Sequence, residues 1–247
     1  MLSVGIPVEL KANENRVSLI PYDVKSIVDE GIQVYFQKGA GIKAGFKDYE
    51  YIEVGGIMLN TIDELYYKAN LIVKVKEPQE SEYRLINEKH TIFTFFHFAS
   101  NKSLRERMIE SKASCYAYET VVIKNADGKI NYPILSNMSS IAGEQAFIEA
   151  ESFIKQKFPY HYYHIPITII GVGNVGLASM KCAINMGYKN IYLIDKDEEK
   201  IKNIKSEVDN CVDTKDIINI YNMNDDNHND NNNINININT NNTNNNI

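Results

Sequence analysis

The chain has 247 residues, 44% of them hydrophobic and 23% charged, with a formal net charge of −6. That composition suits one large or two modest globular domains, and the negative balance excludes a general electrostatic attraction to nucleic acid or anionic lipid. Three widely spaced cysteines, Cys115, Cys182 and Cys211, give neither a disulfide framework nor a paired-thiolate metal motif.

Short apolar runs and amphipathic stretches alternate along the first 135 residues. Residues 2–6 read as a strand stopped by Pro7, and Pro21 stands where a helix would open. A second strand is expected at 32–36, closed by Gly39-Ala40-Gly41, and a helix around 48–54. Further strands are expected at 71–75, 91–96 and 114–118, with helical patterns at 61–68, 80–86 and 102–111 between them. The run at 71–75 is apolar throughout except for Lys74. Strands separated by helices predict a parallel sheet covered on both faces.

A long helical pattern at 140–157 follows, then a strand Ile167–Ile170, a helix at 175–186, a strand at 191–194 and a charged helix at 198–208. From about Asn222 the chain is nearly all Asn with Asp, Ile and Thr, too polar to offset ordering entropy, so disorder is expected there. The alternating Asn-Ile run at 233–239 reads as an aggregation hazard. The expected fold class is α/β: two parallel-sheet domains, the second a partial Rossmann fold, then a disordered Asn-rich tail. The expected division is 1–139, a connector at 140–165, the partial dinucleotide fold at 166–215 and the tail at 216–247. No basic leader is seen and no apolar run approaches the roughly 18 to 20 residues that span a bilayer. The expected compartment is therefore the cytoplasm, with no membrane and no nucleic-acid partner.

Gly171-Val172-Gly173-Asn174-Val175-Gly176 follows one apolar strand and opens a helical pattern. Asp195, at the end of the next strand, lies 19 positions after Gly176, near the spacing of about 20 seen in dinucleotide-binding units. Gly171 permits a tight turn, Gly173 lets backbone amides reach a pyrophosphate, and Gly176 lets helix and strand pack closely. Asn174 and Val175 place their amides at the helix N-terminus, where an anion is favoured. A carboxylate at Asp195 accepts hydrogen bonds from ribose hydroxyls and repels a 2′-phosphate, which favours NAD over NADP.

Ligands of open α/β sheets bind at the carboxyl ends of the strands. Four distinctive side chains are expected there: Arg16, Lys76, His97 and Tyr118. Any one of them is ordinarily a solvated charge or a hydrogen-bonded structural group. Together they suit a small carboxylate with a carbonyl: Arg16 clamping the carboxylate, Lys76 polarising the oxygen, His97 moving a proton. His161 and His164, among tyrosines and prolines, read as surface features and no metal is expected.

The stretches GIPVELKANENRVSL (5–19), KGAGIKAGFKDYEY (38–51), LIVKVKEP (71–78), FTFFHFA (93–99), YAYET (116–120), MSSIAG (138–143) and GVGNVG (171–176) resemble the alanine dehydrogenase family, whose fold is shared with the N-terminal part of proton-translocating transhydrogenases. The resemblance covers residues 1 to about 210. It implies hydride transfer between L-alanine and NAD, with release of pyruvate and ammonia. It implies substrate binding by Arg16, Lys76, Tyr118 and Met138, catalysis by Lys76 and His97, cofactor contact at Ser139, and an oligomeric enzyme. Relatives of the opine and saccharopine dehydrogenase type share this fold and are the alternative within the class. Only the first half of the dinucleotide fold is found, so a nucleotide-binding homologue without activity is the other alternative.

Overall fold

The computed structural model describes residues 2–126, 128–160, 162–209 and 218–222, which form two units divided between Met138 and Ser139. Cys211, His161 and the Asn-rich stretch 223–247, with its Asn-Ile run, lie outside the described residues.

The first unit is a six-stranded sheet in the order β3-β2-β1-β4-β5-β6, every pairing parallel. Its strands are β1 (Ser3–Ile6), β2 (Gln33–Gln37), β3 (Ile57–Leu59), β4 (Leu71–Lys76), β5 (Thr91–Phe95) and β6 (Ser114–Ala117). The helices are α1 (Pro21–Asp29), α2 (Asp48–Glu53), α3 (Ile62–Lys68) and α4 (Lys102–Ser111). Local chemistry sets their ends. Pro21 occupies the first turn of α1, where its missing N–H costs nothing. Thr61 caps α3 by accepting from the Glu64 amide at 3.2 Å, and Glu64 reaches back to the Thr61 amide at 3.0 Å.

Alternation along the strands sorts the core into two layers. Val4, Ile6, Val34, Phe36 and Val73 meet Val24 of α1 and Tyr51 of α2. Ile72 and Ile92 meet Leu65 and Tyr66 of α3 and Leu104 and Met108 of α4. A Cβ at Gly5 would stand 2.7 Å from the Ala69 Cβ, so β1 has a glycine where the end of α3 comes closest.

Between this sheet and the next come a small antiparallel pair, β7 (Ile123–Lys124) with β8 (Ile130–Asn131), and the long helix α5 (Pro133–Lys157). The unit boundary falls inside α5, which begins seven residues before the expected start at 140, at a proline suited to a first turn.

The second unit is a three-stranded parallel sheet in the order β11-β10-β9. Its elements are β9 (Ile167–Ile170), α6 (Asn174–Asn185), β10 (Ile191–Asp195), α7 (Glu198–Asp209) and β11 (Ile218–Asn222). Phe147, Val172, Ala183, Ile191, Leu193, Ile201 and Ile218 form its core. β11 corrects the expectation of disorder from residue 216. Its sequence INIYN looks like the polar tract that follows, but Ile218 is buried and the strand pairs with β10 from Ile191 to Asp195. The unit is thus a complete β-α-β-α-β repeat, one strand more than the sequence suggested.

Candidate functional site

In the first sheet the strand order reverses between β1 and β4. Such a switch point opens a crevice at the carboxyl ends, because the two connections leave in opposite directions. Arg16 lies in the loop that leaves β1, and Lys76 is the last residue of β4. Both flanks of the crevice therefore end in a cation.

Arg16 is held from behind. Its Nε and Nη2 donate to the two carboxylate oxygens of Glu14 at 2.8 and 2.6 Å. Asn13 adopts a left-handed conformation (φ 62°), which turns the chain so that Glu14 is buried and faces Arg16. The hydrogen bond from Arg16 holds the Glu14 carboxyl below its ordinary range, against the opposing effect of burial.

Lys76 ends β4 just past an irregularity. The pairing of β4 with β5 shifts register between Val73 and Lys76. The Val75 and Lys76 amides donate instead to the carboxylate of Glu9, at 2.5 and 3.3 Å. Glu9 is buried, and so is Lys74, whose Nζ lies 3.5 Å from Glu9 and 3.0 Å from Glu82. Glu82 also accepts from the Tyr66 hydroxyl at 2.9 Å and the Gln79 amide at 2.8 Å. Burial pushes the Glu9 carboxyl up from its ordinary range, while the Lys74 charge and the two amides pull it back.

His97 and Tyr118 come from the next two strands. Tyr118 follows β6 directly, edge-on to Phe93 and Phe95 with centroids 4.3 and 5.0 Å apart. Burial, and then the Glu9 charge, raise its phenol pKa, so it stays a neutral donor. His97 is exposed, lies two residues beyond β5, and stacks on Phe95 at 5.9 Å. It is held at φ 51°, and its amide donates to Glu119 at 2.7 Å. Arg16, Lys76, Tyr118 and His97 are thus joined through Glu9, Glu14 and Phe95 into one neighbourhood. Met138 and Ser139 are half-buried in α5 and lie outside those hydrogen bonds and ring contacts.

Sequence reasoning missed Glu9, Glu14, Glu82 and Glu119. The signal for Glu9 and Glu82 was Lys74, a lone cation inside an apolar run, which demanded a buried counter-charge; Glu14 and Glu119 had none.

In the second unit, Gly171 takes φ 92° and its amide donates to Ile194 at 2.7 Å. A Cβ at Gly176 would collide with the Gly171 carbonyl oxygen, whereas a Cβ at Gly173 would meet nothing within 4 Å. The turn is therefore closed behind and open in front, beside the first amides of α6, Asn174 and Val175. Asp195 accepts from the Val172 amide at 2.8 Å and the Asp197 amide at 3.0 Å, bonds that hold its carboxyl below the ordinary range.

Among the described residues no helix is long and apolar enough to cross a membrane.

Residues 5–142, more than half of the chain, match the model of the alanine dehydrogenase/PNT N-terminal domain. The chain belongs to that family. It is 36% identical over 195 residues to alanine dehydrogenase of Methanococcus maripaludis, covering 75% of this chain and 51% of that protein. It is 32% identical over 223 residues to alanine dehydrogenase of Staphylococcus epidermidis, covering 86% and 58%. Against a solved L-alanine dehydrogenase the TM-score is 0.73 at 26% identity, over 90% of this chain and 61% of that one. A transhydrogenase from Sinorhizobium meliloti, at 21% identity and TM-score 0.65, covers 82% of this chain and 61% of that one and shares the fold. The chain spans between about half and three fifths of the length of these relatives.

Proposed function

We propose that this chain has alanine dehydrogenase-type chemistry, interconverting L-alanine with pyruvate and ammonia and using NAD. The observation that carries the reading is the convergence of Arg16 and Lys76 on the β1/β4 switch point in a member of this family. Arg16, braced by Glu14, offers its outer donors to the substrate carboxylate. Lys76 donates to the carbonyl oxygen or the amine that replaces it. His97 passes a proton between that centre and solvent, and Tyr118 forms an apolar wall with a polar tip. Met138 borders the substrate and Ser139 the cofactor.

NAD fits the second unit on chemical grounds. The open face at Gly173 leaves room for a pyrophosphate beside the α6 amides, and the ionised carboxylate of Asp195 at the end of β10 suits ribose hydroxyls. NAD would supply the hydride acceptor. The side chains of the first unit would bind, orient and move protons.

The test is NADH consumption by the purified protein with pyruvate and ammonium, and NADH formation with L-alanine. Turnover with ammonia supports the reading. Consumption only when an amino acid replaces ammonia would assign the opine type instead. NADH binding without turnover on any 2-oxo acid would leave a nucleotide-binding homologue and refute the catalytic proposal.

A further inference from the structure

Glu9 sits in a chemically expensive place. A carboxylate buried to 6% exposure needs compensation, and two unpaired amides at a strand end could be satisfied as well by a neutral acceptor. Three observations give the charge a task. First, the amides it holds belong to Val75 and Lys76, across the register shift in β4. In a regular strand Lys74 and Lys76 would point to the same face. Here Lys74 is fully buried among Glu9, Glu82 and Tyr66, while Lys76 is half-exposed. Bulges of this kind re-aim a side chain. Second, two carboxylates share one ammonium below the sheet end, so the floor carries a net negative charge. Third, the same carboxylate serves both flanks of the crevice: it acts electrostatically on Arg16 and accepts from the Lys76 amide.

We propose that Glu9 is the positioning residue for Lys76: its buried carboxylate clamps the Val75 and Lys76 amides, fixing the bulge that sends the Lys76 ammonium away from Lys74 and into the switch-point crevice. The role of Lys76 toward a 2-oxo acid rests on the function proposed above; the hold of Glu9 on Lys76 does not.

Two variants separate reach from charge. Glu9→Asp keeps the charge beside Lys74 but is one methylene too short for the amides. Glu9→Gln keeps the reach but loses the charge, and its amide nitrogen can no longer accept from one of the two backbone amides. Lysine labelling by trinitrobenzenesulfonate, read peptide by peptide in the full chain, reports Lys76, with Lys25 on α1 as internal reference. Pyruvate titration by calorimetry reports the site. Both variants are expected to change the Lys76 labelling rate at least about threefold with Lys25 unchanged, and to weaken pyruvate binding about tenfold. A Lys76 rate equal to the parent's in both folded variants overturns the proposal. If the parent protein binds no pyruvate, the functional reading fails while the labelling still decides the role of Glu9. If neither variant folds, amide exchange in the parent decides. A protected Val75 amide supports the clamp, and exchange at the rate of a free amide overturns it.

Discussion

Arg16 reaches the crevice with part of its donor set already committed. Glu14 takes Nε and one Nη2 hydrogen, which leaves the Nη1/Nη2 edge of the fork for a ligand. A lysine cannot satisfy Glu14 and present a second planar edge at once. Arg16→Lys is therefore expected to weaken pyruvate binding at least about tenfold, by calorimetry, with little change in melting temperature. Acid sensitivity is also set residue by residue. His90 is buried, its Nδ1 accepting from the Asn87 amide at 3.1 Å and its Nε2 facing the Tyr66 carbonyl at 2.9 Å. Burial lowers its pKa from the ordinary 6.5, with the Lys89 charge adding to the effect. The unfolded chain then binds the proton more readily, so stability is complete above pH 6.5 and is lost as the pH falls toward the folded value. The carboxyl of Glu14, held low by Arg16, adds a second loss at lower pH, below its ordinary 4.5. Melting curves between neutrality and mild acid should fall for the parent chain and fall less steeply for His90→Gln.

The glycine turn of the second unit separates two roles that its sequence spells alike. Gly176→Ala should drive a methyl into the Gly171 carbonyl, costing about 1–3 kcal/mol and lowering the melting temperature. Gly173→Ala meets only open space, so the fold should hold while NADH affinity falls. Thermal melts paired with NADH titration distinguish the two. Most elements at this scale were legible. The β1, β4, β5, β9 and β10 strands are compact apolar runs, α1 opens on a proline and α3 carries its own capping box. β3 was hidden because its side chains are largely exposed, so three residues after Gly55-Gly56 carry no burial pattern. β11 was hidden because its five residues, INIYN, share the Asn-Ile alternation of the tract that follows.

Each of the three buried clusters lies wholly within one unit. Urea unfolding is therefore expected in two steps, and NADH at a hundredfold excess over its Kd should stabilise only the second unit's step, by about 2.7 kcal/mol. A single transition shifted as a whole by NADH would contradict this. The same scale explains what the sequence withheld about the site. Arg16, Lys76, His97 and Tyr118 are visible because each follows a recognisable strand. Their carboxylate supports are not, because Glu9 meets β4 across 66 positions and Glu119 meets His97 across 22. Spacing rules read neighbours along the chain, and these partners become neighbours only when the sheet closes. The buried trio of Glu9, Lys74 and Glu82 also bears on the order of events in folding. Three charges must shed their water before any of them gains a partner, and the chain joining Glu9 to Lys74 has to close a long loop first. The crevice therefore takes its native form only when β1 has paired with β4 and this trio has closed, and no local stretch of the chain can build it alone.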